Sequence, residues 1–255
     1  MTSNLATEGI RGVLLDIEGT TTPIAFVHEV LFSYARSHLR NFLTEHFGSA
    51  ELLADLKQLR EEHAVDVKQN LQPPALVGVD GPRDAEIDSM VEYVSWLIDH
   101  DRKSTGLKSL QGKIWKQGYT DGTLKAELFA EVATALERWR QAGLKISIFS
   151  SGSSLAQKLL FAHTEAGDLT GFIDNYFDTT VGSKTDVASY RQIASALRLP
   201  AQNVLFISDV VPELDAASAA GMQTLLCVRP GNHPQPFAER YQKIRNFDEI
   251  YGPES

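Results

Sequence analysis

The end of one apolar run carries the side chains with the clearest chemical potential. In VLLDIEGTTTP, residues 13–23, Asp16 follows the apolar residues and Glu18 comes two positions later, before a glycine and three threonines. A strand that serves only a core needs no carboxylates at its end. A carboxylate can attack phosphorus, carry a proton or bind a hard cation. Which role applies depends on the residues that the rest of the chain brings to this point.

Two further strand-like segments end in hydroxyl or carboxylate side chains. LKISIFS, residues 144–150, continues into Ser150 and Ser151, and NVLFIS is followed by Asp209, with Glu213 four positions later. Each of these residues alone is typical of a helix cap or a turn. Parallel sheets bind ligands beyond the carboxyl ends of their strands. The coincidence at three strand ends therefore predicts one site at one edge of a sheet.

This set of side chains suits phosphoryl transfer assisted by a cation. Carboxylates on oxygen-rich loops are the ligands that Mg²⁺ prefers, and a serine before a helix can bind phosphate. Asp16 could form an aspartyl-phosphate. Such a site also needs a fixed positive charge near the transferred group, and Lys184 in VGSKTDVASY is the candidate. Alone, that lysine would be typical of a solvated surface.

The elements that must position these residues alternate between strand and helix. Apolar runs predict strands at 12–16, 144–150, 203–209 and 223–228, with a weaker one at 176–182. Helical spacing appears at 123–143, 154–164, 189–199 and 212–221. Strands that are apolar on both faces and alternate with helices indicate an α/β core with a doubly wound, Rossmann-like parallel sheet.

The first and second strands are separated by far more chain than one crossover connection needs. Helical spacing fills the interval at 26–48, 50–64, 87–103 and 105–119, and the loop at 70–84 contains three prolines. We predict an all-helical cap domain, residues 22–123, inserted into a core formed by 1–21 and 124–255. A larger single α/β domain with extra helices is the alternative.

Bulk properties favour a small-molecule enzyme. The net charge of −9 opposes nucleic acid as a partner. The chain has no apolar run long enough to span a membrane and no secretory signal at its start. One cysteine, Cys227, excludes an intrachain disulfide and favours a reducing compartment. We expect a cytoplasmic monomer without a membrane partner.

The order of the motifs resembles a known superfamily. DIEGTT, SSGS, an isolated lysine before a helix and SDVVPE are similar to the haloacid-dehalogenase-like superfamily. With SLQGKIW (109–115) and VRPGN (228–232), the chain most resembles the enolase-phosphatase family of methionine salvage, the acireductone synthases. The resemblance extends from about residue 12 to about residue 250. DIEGTTTPI and SLQGKIW are its specific segments.

The resemblance implies a cofactor, Mg²⁺, and three residues that hold it. Asp16 corresponds to the nucleophile and a metal ligand, Asp209 to the later metal ligand. Glu18 would contribute its backbone carbonyl to the metal and its side chain as the acid–base group. Most phosphatases of the superfamily carry Asp at the position of Glu18, so the general-acid role does not transfer automatically. Glu213 would act on the metal indirectly, through a neighbouring metal ligand or through water.

The same resemblance implies the substrate contacts. Ser150 and Ser151 would bind the phosphate region, and Lys184 would stabilise the phosphoryl charge. The helical insert would act as a lid that excludes bulk water.

The activity implied is conversion of 2,3-diketo-5-methylthiopentyl 1-phosphate to the acireductone 1,2-dihydroxy-3-keto-5-methylthiopentene and phosphate. Enolisation precedes phosphate removal in that scheme. A plain Mg²⁺-dependent phosphomonoesterase is the nearest alternative. A dehalogenase needs no Mg²⁺, so the pairing of Asp16 with Asp209 disfavours it. A non-catalytic binding module would not need a nucleophile.

Overall fold

The computed structural model describes residues 9–100 and 102–250. The chain divides into two compact units, Met1–His28 with Lys125–Ser255, and Glu29–Leu124. We call them the sheet unit and the helical unit. Residues 22–28, which we predicted in the inserted domain, belong to the sheet unit in this division. A backbone bridge between Glu18 and Thr22 ties the start of that segment to the end of the first strand.

The helical unit contains four α-helices in the described residues. They are α1 (Phe32–His46), α2 (Ala50–Lys68), α3 (Arg83–Asp99) and α4 (Thr105–Asp121), and a π-helix, Phe26–Leu31, directly precedes α1. Side chains of Ser49 and Ser104 cap α2 and α4, as the sequence of helix starts favours. Helix α4 packs against both α1 and α2. No helix among the described residues is long and apolar enough to cross a membrane.

The sheet unit is built on six parallel strands, which confirms the predicted α/β, doubly wound parallel sheet. The strands are β1 (Gly12–Leu15), β2 (Lys145–Phe149), β3 (Asn175–Phe177), β4 (Val204–Ser208), β5 (Gln223–Cys227) and β6 (Lys243–Ile244), in the order β3-β2-β1-β4-β5-β6. The sequence did not predict β6, because two residues carry no detectable alternation.

Helices α5 (Val132–Gln141), α6 (Ser154–Ala162), α7 (Val187–Leu197) and α8 (Val211–Ala219) connect the strands. The prediction of one helix over 123–143 was wrong for its first half. There the Ala126 amide bonds the His163 carbonyl and the Phe129 amide bonds the Thr21 carbonyl, at 2.9 and 3.0 Å. Tertiary hydrogen bonds therefore replace the helical ones that the local sequence favours.

Strand β1 lies at the centre of the sheet and is completely buried. Leu15 is in register with Ile148 of β2 and with Ile207 of β4. The carboxyl ends of these three strands consequently lie side by side. The strand order also reverses here, which is where sheets of this kind bind ligands.

Candidate functional site

A buried ion cluster occupies the edge of the sheet beyond β1 and β4. Lys184 Nζ lies 2.5 Å from Asp16 Oδ1 and 2.8 Å from Glu213 Oε2. Ser208 Oγ, at the end of β4, donates to Glu213 Oε2 at 2.9 Å and lies 3.4 Å from Asp16 Oδ2. The structure thus brings Asp16 and Lys184 together. It also gives Glu213 a direct contact with Lys184.

Asp209 adds a further buried carboxylate to this edge. Burial, followed by the negative charges of Asp16 and Glu213, raises the pKa of Asp209 to about 7. Burial and Asp16 also raise the pKa of Glu213, although Lys184 opposes them. Three carboxylates therefore share one described cation, Lys184. Such an excess of buried negative charge is costly unless a proton or a cation compensates it.

The backbone on both sides of Lys184 is held firmly. Tyr190 Oη donates to the Lys184 carbonyl and Ser189 Oγ to the Ser183 carbonyl, both at 2.7 Å. Gly182 has φ +126°, and a Cβ there would lie 2.3 Å from Ser189 Oγ, so only glycine fits. Burial lowers the pKa of Lys184, but Asp16 and Glu213 raise it more, and the net direction is upward. The lysine is a fixed, fully charged group.

The loop after β2 supplies hydroxyl groups and a helix start. Ser150 is buried, and its Oγ accepts a hydrogen bond from the Gly152 amide at 3.2 Å, whereas Ser151 is exposed. Gln157 Nε2 donates to the carbonyls of Gly152 and Phe177, each at 2.8 Å, and so anchors the loop. Amides that open α6 lie directly after these serines. A phosphate group would meet hydroxyl and amide donors at this loop.

Glu18 takes a different direction from Asp16. Its carboxylate lies 2.7 Å from His28 Nε2, and both side chains are substantially exposed. No residue in ranges 9–100 and 102–250 donates a hydrogen bond to the Glu18 carbonyl oxygen. The carbonyl is therefore available to another partner. Sequence reasoning missed His28, because a contact ten residues away within an irregular segment leaves no periodic signal.

The donor set fits Mg²⁺, although the described residues contain no closed cluster of three or more His, Cys, Asp or Glu side chains. The side-chain oxygens come from Asp16 and Asp209, and the third expected donor is the Glu18 carbonyl rather than its carboxylate. Carboxylate and carbonyl oxygens are the ligands that Mg²⁺ prefers. A divalent cation would also offset the negative charges of Asp16 and Glu213, which, after burial, raise the pKa of Asp209.

Two residues after β5 support the loop that follows Asp16. Arg229 is buried, and its guanidinium donates to the Thr20 carbonyl at 3.0 Å and pairs with Glu131 at 2.6 Å. Asn232 Nδ2 donates to the Gly19 carbonyl at 2.9 Å. The VRPGN motif contains both residues, but only the folded chain brings them to the β1 exit.

Comparison with protein families gives the class. The family model described as haloacid dehalogenase-like hydrolase matches residues 10–221. The chain therefore belongs to the haloacid dehalogenase-like hydrolases and, as the relatives below show, to their enolase-phosphatase group.

Individual proteins similar to this chain indicate a group within the family. Enolase-phosphatase E1 of Synechococcus elongatus is 51% identical over 94% of this chain and 98% of its own length. In Arabidopsis thaliana, a probable bifunctional methylthioribulose-1-phosphate dehydratase/enolase-phosphatase E1 is 42% identical over 94% of this chain and 48% of its own length. The crystal structure of the UTR4 protein from Saccharomyces cerevisiae matches with a TM-score of 0.75 and 33% identity. It covers 94% of this chain and 99% of its own.

Proposed function

We propose that this hydrolase is a Mg²⁺-dependent enolase-phosphatase. Its substrate would be 2,3-diketo-5-methylthiopentyl 1-phosphate, and its products the acireductone 1,2-dihydroxy-3-keto-5-methylthiopentene and phosphate, in L-methionine salvage. The observation that carries the proposal is the contact between Asp16 and Lys184, 2.5 Å apart, among buried carboxylates beyond the central strand. The enolase-phosphatase relatives support the choice of substrate.

In the phosphatase step, an Asp16 carboxylate oxygen attacks phosphorus. The bond between phosphorus and the substrate oxygen breaks, and that oxygen takes up a proton from Glu18, the candidate acid–base group, as it leaves. Water then releases phosphate from the aspartyl-phosphate and regenerates Asp16. Lys184 stabilises the charge on the transferred group, and Ser150 and Ser151 bind the phosphate oxygens from the neighbouring loop.

Asp16, Asp209 and the Glu18 carbonyl would hold Mg²⁺. When bound, the cation would supply Lewis-acid stabilisation to phosphoryl and enolate oxygens. Glu213 contacts Lys184 at 2.8 Å, so we assign it to orienting that lysine.

Enolisation requires a base that removes a proton next to a ketone. Glu18 is our candidate, because its carboxylate is outside the Asp16–Lys184–Glu213 cluster and its side chain is 40% exposed. His28 holds this carboxylate by a 2.7 Å contact. A base fixed in one direction removes a proton more efficiently than a freely rotating one.

We propose that the helical insert, residues 22–123 of our prediction, acts as a cap that excludes water. Two of its side chains make contacts within the insert. Arg102 pairs with Asp66, and Trp115 Nε1 donates to the Leu31 carbonyl at 2.8 Å. The Trp115 contact favours core packing over substrate selection, and the Arg102 contact gives that charged side chain an ion-pair partner within the insert. We also propose a cytoplasmic monomer, consistent with the buried free thiol of Cys227.

The test follows enol absorbance and free phosphate together, with the diketo-phosphate substrate, in Mg²⁺ and in chelator. We expect both products from the wild type only with Mg²⁺, and no phosphate from Asp16→Asn. The plain phosphomonoesterase alternative predicts phosphate from simple esters while the diketo-phosphate stays unchanged. That second outcome would overturn the enolase-phosphatase proposal.

A further inference from the structure

Asn232, in the loop after β5, has a side-chain orientation that its neighbours determine. Its Nδ2 donates to the Gly19 carbonyl at 2.9 Å and to the Cys227 carbonyl at 3.3 Å. Both partners are acceptors, so the amide nitrogen must face them and the oxygen must face the other way. The position of Oδ1 therefore follows from the hydrogen bonds rather than from an arbitrary choice of amide rotamer.

The Asn232 Oδ1 atom is buried and has no hydrogen-bond partner within the part of the chain that the structure describes. Leaving a buried acceptor without a partner destabilises the folded protein. The Nδ2 contacts alone do not explain such an atom at the edge of the candidate site. An unmet acceptor of this kind indicates a donor, such as a water molecule, or a cation outside the described residues.

The surroundings of Oδ1 show which kind of partner fits. Gly19, with φ +71°, has no side chain, and a Cβ built there would lie 3.1 Å from Asn232 Oδ1 and 2.5 Å from Asp209 Oδ2. Two acceptor oxygens thus face the same side of Gly19. A neutral apolar group would leave both unsatisfied, whereas a hydrated cation offers positive charge to the carboxylate and water protons to the amide oxygen.

We propose that Asn232 positions the divalent cation of this site, its Oδ1 accepting a hydrogen bond from the hydration shell of the ion held by Asp16 and Asp209. This inference rests on the proposed Mg²⁺ site and extends it. Mg²⁺ keeps several waters when it binds to proteins, and partners of those waters contribute to affinity. Asn232 is a positioning residue and not a direct ligand.

The alternative is that Asn232 serves only as a tether for the Gly19 loop through its Nδ2. The two roles use different atoms, so two substitutions separate them. Asn232→Ala removes both the oxygen and the donor. Asn232→Asp removes the donor to the Gly19 carbonyl but keeps an oxygen and adds negative charge beside the cation.

The experiment is calorimetric titration of Mg²⁺ into chelator-treated full-length protein. We expect Asn232→Ala to raise the Mg²⁺ dissociation constant about 10- to 100-fold. We expect Asn232→Asp to bind Mg²⁺ at least as tightly as the wild type. Gln235→Ala is the matched control, because Gln235 lies in the same loop as Asn232. Its Oε1 accepts a hydrogen bond from the amide of Val211, the first residue of α8, at 3.2 Å. The Mg²⁺ affinity of this variant should stay unchanged. Thermal melts in chelator verify that each variant is folded.

Equal weakening by Ala and Asp would overturn the inference in favour of the tether. Unchanged affinity in Asn232→Ala, with Mg²⁺ binding by the wild type, would overturn it while leaving the metal site intact. No Mg²⁺ binding by the wild type would overturn the metal site and this inference together.

Discussion

Buried carboxylates occur in both units, but their charge balance differs. In the helical unit, each buried carboxylate among the described residues has its own basic partner. The pairs are Asp55 with Lys113, Asp66 with Arg102 and Glu86 with Arg60. In the sheet unit, by contrast, Asp16, Asp209 and Glu213 share Lys184 at the strand ends. In a balanced pair the two charges compensate each other, whereas the unbalanced cluster needs a further cation or proton to compensate its negative charge.

The difference explains why only one set marks a site. A one-to-one pair satisfies both charges, so nothing further is needed at that position. The strand-end cluster has more described carboxylates than cations, and the pKa of Asp209 is raised to about 7, first by burial and then by the charges of Asp16 and Glu213. Perturbed carboxylates in such a place are typical of catalytic centres.

The largest contrast should come from Asp16→Asn. We expect phosphate release to fall by about 10⁴-fold or more, as removal of a nucleophile does in other enzymes. The matched variant Asp55→Asn breaks the 2.6 Å pair with Lys113 in the helical unit and should keep kcat within about twofold. Steady-state phosphate assays on both proteins test this. Comparable losses in the two variants would erase the distinction between the units.

Lys184→Met should rank second. It removes the cation that contacts Asp16 and Glu213, so we expect kcat to fall about 10²- to 10³-fold. Lys113→Met provides the balanced counterpart and should lower the free energy of unfolding without a comparable loss of kcat. Urea unfolding and the phosphate assay, run on the same samples, separate the two effects. Full activity in Lys184→Met would remove the lysine from the mechanism.

The pH dependence of stability sharpens the comparison further. A carboxyl whose pKa rises from 3.8 to about 7 on folding stabilises the protein at low pH and loses that contribution as pH rises through about 7. In chelator, the free energy of unfolding of Asp209→Asn should therefore rise by about 2–4 kcal/mol relative to that of the wild type as the pH increases from 4 to 7. Urea titrations at several pH values measure the difference. A difference that does not change with pH would contradict the charge excess.

The smallest effect should belong to a balanced pair. Asp66→Asn weakens the contacts with Arg102 and with Tyr93 Oη, which donates to Asp66 at 2.9 Å. We expect the free energy of unfolding to fall by about 1–3 kcal/mol, because the partly exposed Arg102 loses its negatively charged partner. kcat should not change beyond about twofold. A large change in kcat with normal stability would give this helical pair a functional role.

The sequence could predict the strands and the strand-end residues because their signals are local. Apolar runs and the polar residues that end them place Asp16, Ser150 and Asp209 at one edge once the sheet is parallel. Residues 123–131 misled the helix prediction, because the Phe129 amide bonds the Thr21 carbonyl in the fold. Such a contact depends on distant chain and leaves no pattern.

The supporting residues of the site were hidden for the same reason. The contact of His28 with Glu18 depends on an irregular segment, and Asn232 reaches the Gly19 carbonyl across more than 200 positions of sequence. The sequence placed Glu213 near the end of a strand, but it did not predict the side chain that Glu213 contacts. In the structure that side chain is Lys184, whose Nζ lies 2.8 Å away. Charge balance, unlike residue type, is a property of the folded chain.

We propose that the cluster of Asp16, Lys184, Asp209 and Glu213 transfers a phosphoryl group through Asp16. The most direct measurement stops the enzyme by acid during turnover of the diketo-phosphate substrate in Mg²⁺ and identifies the phosphorylated peptide by mass spectrometry. We predict a phosphoryl group on Asp16 within VLLDIEGTTTP, absent in Asp16→Asn. Phosphate released at the normal rate with no phosphorylated chain, or with the phosphoryl group on another residue, would contradict the account.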